Sequence, residues 1–235
     1  MRYAVVFDYN GVIVDDEEVH ELAFSSVLRS LGIKLTPSLY ENCCVGRTDH
    51  DGFIKLRAAF VNEFNGTSII KLVKAKEHAY ESFVELKNIL YPDVVDVIHQ
   101  LGKSFRLAVV TSSSRDELLS VLERFDIKRS FSCLVTADDI VNGKPNPEGY
   151  LKSLELLRLP TNRVIAIEDS PSGIQAAKAA GLLCIAVQHT TSESKLVAAD
   201  RIVGKIGDIN TSLVTNLLLQ SKSSRNGSCH RTTAT

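Results

Sequence analysis

Ala4-Val5-Val6-Phe7-Asp8-Tyr9-Asn10-Gly11 opens the chain with a short apolar, β-branched run that stops at a carboxylate. The run, taken from Tyr3 to Phe7, has the length and composition of a buried strand, and Asp8 stands where the strand gives way to a polar turn. Leu107–Thr111, Val164–Ile167 and Leu183–Val187 have the same form, and Cys133–Thr136 is a weaker instance between the first two of these. Helical patterns separate them. Asp116–Phe125 places Leu118, Leu119, Leu122 and Phe125 on one face, Pro147–Leu157 carries a proline at its first turn, and Ile174–Ala180 is rich in alanine. Strands alternating with helices predict a parallel sheet covered on both faces. Such sheets bind ligands at the carboxyl ends of their strands, near a switch in strand order. Asp8, Thr111 and Glu168-Asp169 all fall at strand ends, so the fold should gather them into one place.

The interval from Asp15 to Lys87 breaks this alternation. Val19, Ala23, Val27 and Leu31 space for one helix face, with Gly32 as a stop. Phe53, Phe60 and Phe64 mark a second helix, Leu72, Ala79 and Phe83 a third, and Thr36-Pro37 starts another short one. The expected organisation is a doubly wound, Rossmann-like core of residues 1–14 and 88–220 with an all-helical cap of residues 15–87 inserted after the first strand. Hinges fall near Val14–Asp16 and Asn88–Tyr91. The polar stretch 221–235 is expected to be a disordered tail.

A chain of 235 residues, 44% hydrophobic and 23% charged, can bury a sizeable core. Its net charge of −1 gives no reason to expect nucleic acid or a membrane surface as partner. No apolar run approaches the ~18 residues that span a bilayer, and the first apolar stretch is too short for a signal peptide. A monomer in the cytoplasm is the default expectation. Five cysteines, odd in number and without Cys-x-x-Cys spacing, argue against a disulfide framework or a zinc site. No Gly-x-Gly-x-x-Gly follows the first strand, which excludes the common dinucleotide-binding oxidoreductases.

Asp8 suits a nucleophile, because a strand fixes its backbone while the turn leaves its oxygens open; attack on phosphorus would give an acyl-phosphate. A carboxylate approaching an anionic phosphate needs a hard dication, and Glu168-Asp169 could anchor Mg²⁺. The competing reading of that acidic pair is a helix N-cap. Lys144 sits in Gly143-Lys144-Pro145-Asn146-Pro147, where two prolines stiffen the loop that presents its ammonium. Thr111-Ser112 ends a strand and precedes a helix, a junction at which hydroxyl and backbone N–H groups hold phosphate oxygens; a plain serine cap is the alternative.

These four segments, Asp8-x-Asn10-Gly11-Val12, Thr111-Ser112, Gly143-Lys144-Pro145-x-Pro147 and Glu168-Asp169-Ser170-x-x-Gly173, resemble in order the four signature motifs of the haloacid dehalogenase superfamily. The resemblance extends to about residue 205 and is closest to the subgroup of β-phosphoglucomutases and small-metabolite phosphatases. It implies Asp8 as nucleophile, Asp8, Asp169 and the carbonyl of Asn10 as Mg²⁺ ligands with Glu168 beside them, and Thr111 and Lys144 around the phosphate. It also implies substrate contacts from the cap at His20, Gly46, Arg47 and Lys76; the competing reading places these on solvated helix faces. The implied substrate is a small phosphorylated metabolite, a sugar or acid phosphate.

Asn10 departs from the pattern. The family carries a second aspartate here that protonates the leaving alcohol and then activates the attacking group. An amide keeps a backbone carbonyl for a metal but cannot exchange protons near neutrality, and general acid–base catalysis contributes typically ~10²–10⁴-fold. Three readings stay open: a phosphatase with another proton source such as His20, Asp15 or Asp16; a phosphomutase; or a weakened enzyme that binds a phosphometabolite. Asp15-Asp16-Glu17-Glu18 otherwise reads as the acidic first turn of a cap helix.

Overall fold

The computed structural model describes residues 2–84 and 89–226, with the side chains of 221–226 not described. Six parallel strands form one sheet: β1 (Ala4–Phe7), β2 (Arg106–Val110), β3 (Phe131–Val135), β4 (Val164–Glu168), β5 (Leu183–Val187) and β6 (Arg201–Val203), in the order β3-β2-β1-β4-β5-β6. Alternate residues of each strand point to opposite faces. Val5, Phe7, Val109, Ile165 and Ile167 pack beneath helices α6 (Val94–Gly102), α7 (Arg115–Arg124) and α10 (Thr211–Asn226). Ala4, Val6, Ala108, Val110 and Ala166 face α8 (Glu148–Leu157) and α9 (Pro171–Ala179). Burial on both sides explains why these strands read as unbroken apolar runs. Because β1 pairs with β2 on one side and β4 on the other, the switch in winding direction falls at β1 and β4.

Among the described residues, five helices lie between β1 and α6: α1 (Glu17–Ser30), α2 (Pro37–Cys43), α3 (Asp49–Ala59), α4 (Val61–Phe64) and α5 (Ile69–Val84). Phe24, Leu28, Tyr40, Phe53, Leu56, Phe64 and Leu72 form an apolar cluster of their own, each such side chain contributing ~1.5–3 kcal/mol on full burial. Thr36 caps α2 by accepting the Leu39 N–H at 3.2 Å, with Pro37 in the first turn. The two crossings between this helical segment and the sheet pair with each other. Val14 bridges Leu90, the Asp15 N–H donates to the Ile89 carbonyl at 2.7 Å, and the Tyr91 N–H donates to that of Ile13 at 3.1 Å. The predicted hinges meet there, although Asn88 itself lies outside the described residues.

Several boundaries differ from the sequence reading. The phenylalanine-marked helix is two helices, because Phe60 leaves helical geometry between α3 and α4. Pro147 precedes α8 instead of entering it. β6 went unrecognised, since three residues at an exposed edge carry no alternation. α10 continues past Ser221 to Asn226 where a polar tail was expected, and residues 227–235 lie outside the described residues. Among the described residues, no helix is long and apolar enough to cross a membrane, and Cys43, Cys44, Cys133 and Cys184 are free thiols.

Candidate active site

Asp8 follows β1 directly, its N–H donating to the Ile167 carbonyl of β4 at 2.9 Å, so the switch point of the sheet fixes its backbone. Its Oδ1 accepts from the Tyr9 N–H at 2.8 Å and lies 2.7 Å from Lys144 Nζ. The same ammonium reaches Glu168 Oε1 at 2.6 Å, and the buried Tyr150 hydroxyl donates to that oxygen at 2.6 Å. Ser170, not the acidic pair, caps α9, accepting the Gly173 N–H at 3.1 Å. Glu168 and Asp169 are thereby left to face Asp8, which removes the N-cap reading of that pair. Oxygens of Asp8, Glu168 and Asp169 all lie within 4.8 Å of one another. Burial, then the Glu168 carboxylate, raise the pKa of Asp8 well above the usual carboxylate range; the same two causes push Asp169 up to about 7. One ammonium among three buried carboxylates leaves negative charge uncompensated, the donor set and charge that a hard dication would complete.

Two glycines let these carboxylates approach the backbone. Gly11 has φ +77°, and a Cβ there would stand 2.0 Å from Asp169 Oδ2; a Cβ on Gly173 would stand 2.0 Å from Glu168 Oε2. Glu168 cannot swing aside, because Lys144 and Tyr150 hold it. Gly173→Ala should therefore lower the unfolding free energy by ~1–3 kcal/mol, measured by denaturant melts, and a variant as stable as the wild type would show that Glu168 is free to move.

Asn10 is pinned from both sides. Its Oδ1 accepts from the hydroxyls of Thr111 (3.3 Å) and Ser113 (3.0 Å), while its Nδ2 donates to Asp16 Oδ1 and Oδ2 at 3.1 and 2.9 Å. Asp16 is 1% exposed, and its Oδ2 also accepts from the Tyr80 hydroxyl at 2.5 Å and lies 3.2 Å from His20 Nε2. A carboxylate only accepts, so residue 16 demands a donor at residue 10, which an amide supplies. The expected acidic first turn is thus half wrong. α1 begins at Glu17, and Asp16 makes no capping bond because it turns inward to Asn10.

Lys76 and His20 also leave the solvated faces that the competing reading gave them. Lys76 is fully buried beneath the pocket and not on its wall, 3.0 Å from Asp49 and 3.5 Å from Glu117, and its Nζ lies 2.6 Å from His20 Nδ1. Burial and Lys76 pull the pKa of His20 down while Glu117 and Asp16 push it up, for a net rise to about 8. Yet the short contact to the Lys76 ammonium needs an acceptor at Nδ1, which only a neutral imidazole with its proton on Nε2 provides, and the contact distance favours that form here. His20 Nε2 then faces Asp16 and Glu117, both at 3.2 Å. Glu117 reaches this cluster from α7 on the sheet side, so a buried charge network joins the helical segment to the core. The open pocket above is lined by Asp8, Asn10, His20, Gly46, Arg47, Ser112, Lys144 and Asp169, among others. Thr111, expected at the phosphate, is buried, with its hydroxyl on Asn10 and accepting from the Ser113 N–H at 3.0 Å.

Residues 5–187 match the family model of the haloacid dehalogenase-like hydrolases. The chain belongs to that family. A phosphorylated carbohydrates phosphatase of Thermotoga maritima is 32% identical, over 82% of this chain and 88% of its own. CbbY of Rhodobacter sphaeroides, solved as an aspartate-to-asparagine variant with xylulose 1,5-bisphosphate, is 25% identical with a TM-score of 0.76, covering 88% of this chain and 96% of that one. A β-phosphoglucomutase of Clostridium difficile shares the fold, with a TM-score of 0.82 at 21% identity over 95% of this chain and all of its own.

This hydrolase also holds the Asp8–Gly11 loop from a side that the sequence reading does not include. His189, just past β5, meets the Gly11 carbonyl with Nδ1 at 2.9 Å, accepts the Ile206 N–H on Nε2 at 3.2 Å, and stacks on Tyr91 with ring centres 3.9 Å apart. Accepting at Nε2 places the ring proton on Nδ1, which donates to Gly11. Thr190 donates its hydroxyl to Asp169. These residues lie two and three positions beyond an apolar strand, past the strand-end position that singled out Asp8 and Thr111.

Proposed function

We propose that this hydrolase removes phosphate from a small phosphorylated metabolite, a sugar or acid phosphate, through a covalent phosphate on Asp8. The observation that carries the reading is the corner in which one lysine, 2.7 Å from Asp8 and 2.6 Å from Glu168, stands among three buried carboxylates at the switch point of the sheet. Asp8, Asp169 and the backbone carbonyl of Asn10 would hold Mg²⁺, with Glu168 outside them because Lys144 and Tyr150 engage it. Bound there, the ion supplies the charge neutralisation that lets a carboxylate approach a phosphate. Asp8 attacks phosphorus, the bond to the substrate oxygen breaks, and the leaving alkoxide takes a proton. Water then gives up a proton as it attacks phosphorus, and the Asp8 carboxylate departs with its electron pair. Lys144 balances charge on Asp8 and the phosphate in both steps, and Ser112 lines the phosphate end of the pocket. Asn10 has no proton to give, so the Asp16–His20 pair behind it is assigned the transfer. His20 Nε2 lies 3.0 Å from Asn10 Nδ2, and its side chain is 12% exposed.

Phosphate release from sugar monophosphates should require Mg²⁺ and stop on chelation; turnover unchanged by EDTA would overturn the reading. Interconversion of glucose phosphates without net release would replace it by a mutase. Proton linkage gives a second check. Asp169 holds its proton in the folded metal-free protein up to about pH 7, and Asp8 is shifted in the same direction by burial and Glu168, whereas unfolded carboxylates lose theirs near ~4. Their contribution to metal-free stability therefore declines as pH rises through that window. Mg²⁺ needs the deprotonated forms, so the rise in Tm on adding it should grow from pH 5 to pH 8 and shrink in Asp169→Asn.

A slow, substrate-holding protein is the second reading, favoured by one observation. The CbbY variant that holds xylulose 1,5-bisphosphate carries an asparagine for an aspartate, the exchange that Asn10 represents against the family motif.

A further inference from the structure

Gly11 has the greatest backbone freedom in the Asp8–Gly11 loop. It carries no side chain, stands at φ +77°, and has the Asp169 carboxylate in the space where a Cβ would project. A residue of that kind keeps one conformation only if the peptides on both sides of it are held. The peptide before it, whose oxygen is the Asn10 carbonyl, is held by its N–H, which donates to the Val14 carbonyl at 2.8 Å. The peptide after it is held by its oxygen, 2.9 Å from His189 Nδ1.

His189 is fixed in turn. The Ile206 N–H donates to Nε2 at 3.2 Å, which leaves the ring proton on Nδ1 for Gly11. The ring stacks on Tyr91 with 23° between the planes, and the Tyr91 N–H is bound to the Ile13 carbonyl where the chain returns from the inserted helices. Thr190 follows directly and donates to Asp169. Two consecutive residues thus hold Asp169 and the glycine packed against it. Thr190 and Tyr91 are among the residues lining the pocket, and His189 is not.

We infer, resting on the reading in which Asp8, Asp169 and the Asn10 carbonyl hold Mg²⁺, that His189 is a positioning residue for that ion. By holding the Gly11 carbonyl it fixes the direction of the Asn10 carbonyl one peptide away. It touches neither the pocket nor the proposed ligands and supplies no proton. Its loss should therefore appear in metal affinity, and not in the chemistry once the site is filled.

Three substitutions separate this role from a purely structural one. His189→Asn places an amide N–H near the position of Nδ1 and can still donate to Gly11. His189→Gln reaches the position of Nε2 and can accept from Ile206 instead, whereas His189→Phe keeps a ring for Tyr91 and makes neither bond. Mg²⁺ affinity is measured by calorimetry at pH 8 without substrate, beside the Mg²⁺ dependence of glucose 6-phosphate hydrolysis. His189→Gln and His189→Phe should weaken Mg²⁺ binding by ~10–100-fold, the usual effect of removing a partner that orients a metal ligand. The Mg²⁺ concentration for half-maximal rate should move by the same factor while kcat at saturating Mg²⁺ stays near the wild-type value. His189→Asn should bind Mg²⁺ almost as the wild type does, and the comparison of Asn with Gln decides should His189→Phe fail to fold. Wild-type affinity in His189→Gln and His189→Phe, or recovery with Gln and not with Asn, overturns the inference, the latter making His189 a tie for Ile206. A wild type that binds no Mg²⁺ overturns it together with the metal reading. Binding in the expected order without any hydrolysis supports the inference and overturns the phosphatase reading alone.

Discussion

Asp8→Ala is expected to abolish phosphate release, lowering kcat by at least ~10³-fold, as removal of a nucleophile does in other covalent enzymes. The loss should be chemical and not structural. Asp8 is a buried carboxylate whose pKa is raised by burial and by Glu168, so the folded metal-free protein tolerates its charge poorly. Its removal also relieves the crowding of three carboxylates around Lys144. Metal-free Asp8→Ala should accordingly melt no lower than the wild type at pH 8 while showing no turnover in a phosphate assay. Full activity in a folded Asp8→Ala protein would remove the nucleophile from the account, and with it both chemical steps.

Asn10→Asp is the second large case, and the structure reverses the simple expectation that restoring the family aspartate restores its rate. The new carboxylate would sit about 3 Å from both oxygens of Asp16, where Nδ2 now donates. Two carboxylates at that distance cannot both ionise, and one pKa is driven up. The single substitution should gain little, and it should cost stability because Asp16 loses its donor in a buried site. Combining it with Asp16→Asn restores the match with the amide and the carboxylate exchanged. That double variant should exceed the Asn10→Asp single variant by ~10²-fold or more in kcat, within the span of general acid–base catalysis, and the cycle should be strongly non-additive. Equal rates in the single and double variants would show that residues 10 and 16 act independently. Intact mass must be checked throughout, because Asn10-Gly11 is a deamidation-prone pair, and a trace of aspartate at position 10 would imitate activity.

The parts of the site legible in the sequence are those whose signal is local. Asp8 and Asp169 follow the ends of apolar strands, so the strand-end rule of parallel sheets alone brings them together, and Lys144 stands out by the loop that Pro145 and Pro147 stiffen. The helices of the inserted segment were legible for the same reason, because 3.6-residue periodicity is local, and the break at Phe60 was hidden by an apolar spacing that runs on across it. Asp16 and Glu117 were illegible. Asp16 sits in a run of four acids that reads as a solvated first turn, and only the Tyr80 hydroxyl, far along the chain, shows it to be buried. Glu117 reads as an acidic residue near a helix start, yet it is 1% exposed and meets a fully buried lysine from another part of the fold. Paired charges hidden by tertiary contact leave no periodic trace in sequence. The meaning of Asn10 was half legible. Its lack of a titratable proton follows from its chemistry, whereas the carboxylate that faces it six residues later required the folded chain.

Acid-quench labelling tests the central claim most directly. The protein is mixed with glucose 6-phosphate and Mg²⁺, quenched in acid while turnover proceeds, digested and read by mass spectrometry. One phosphoryl group on the peptide containing Asp8, absent from Asp8→Asn treated alike, is the predicted result. A phosphoryl group on His20 or any other residue, or turnover that leaves Asp8 unlabelled while Asp8→Asn still releases phosphate, would contradict it.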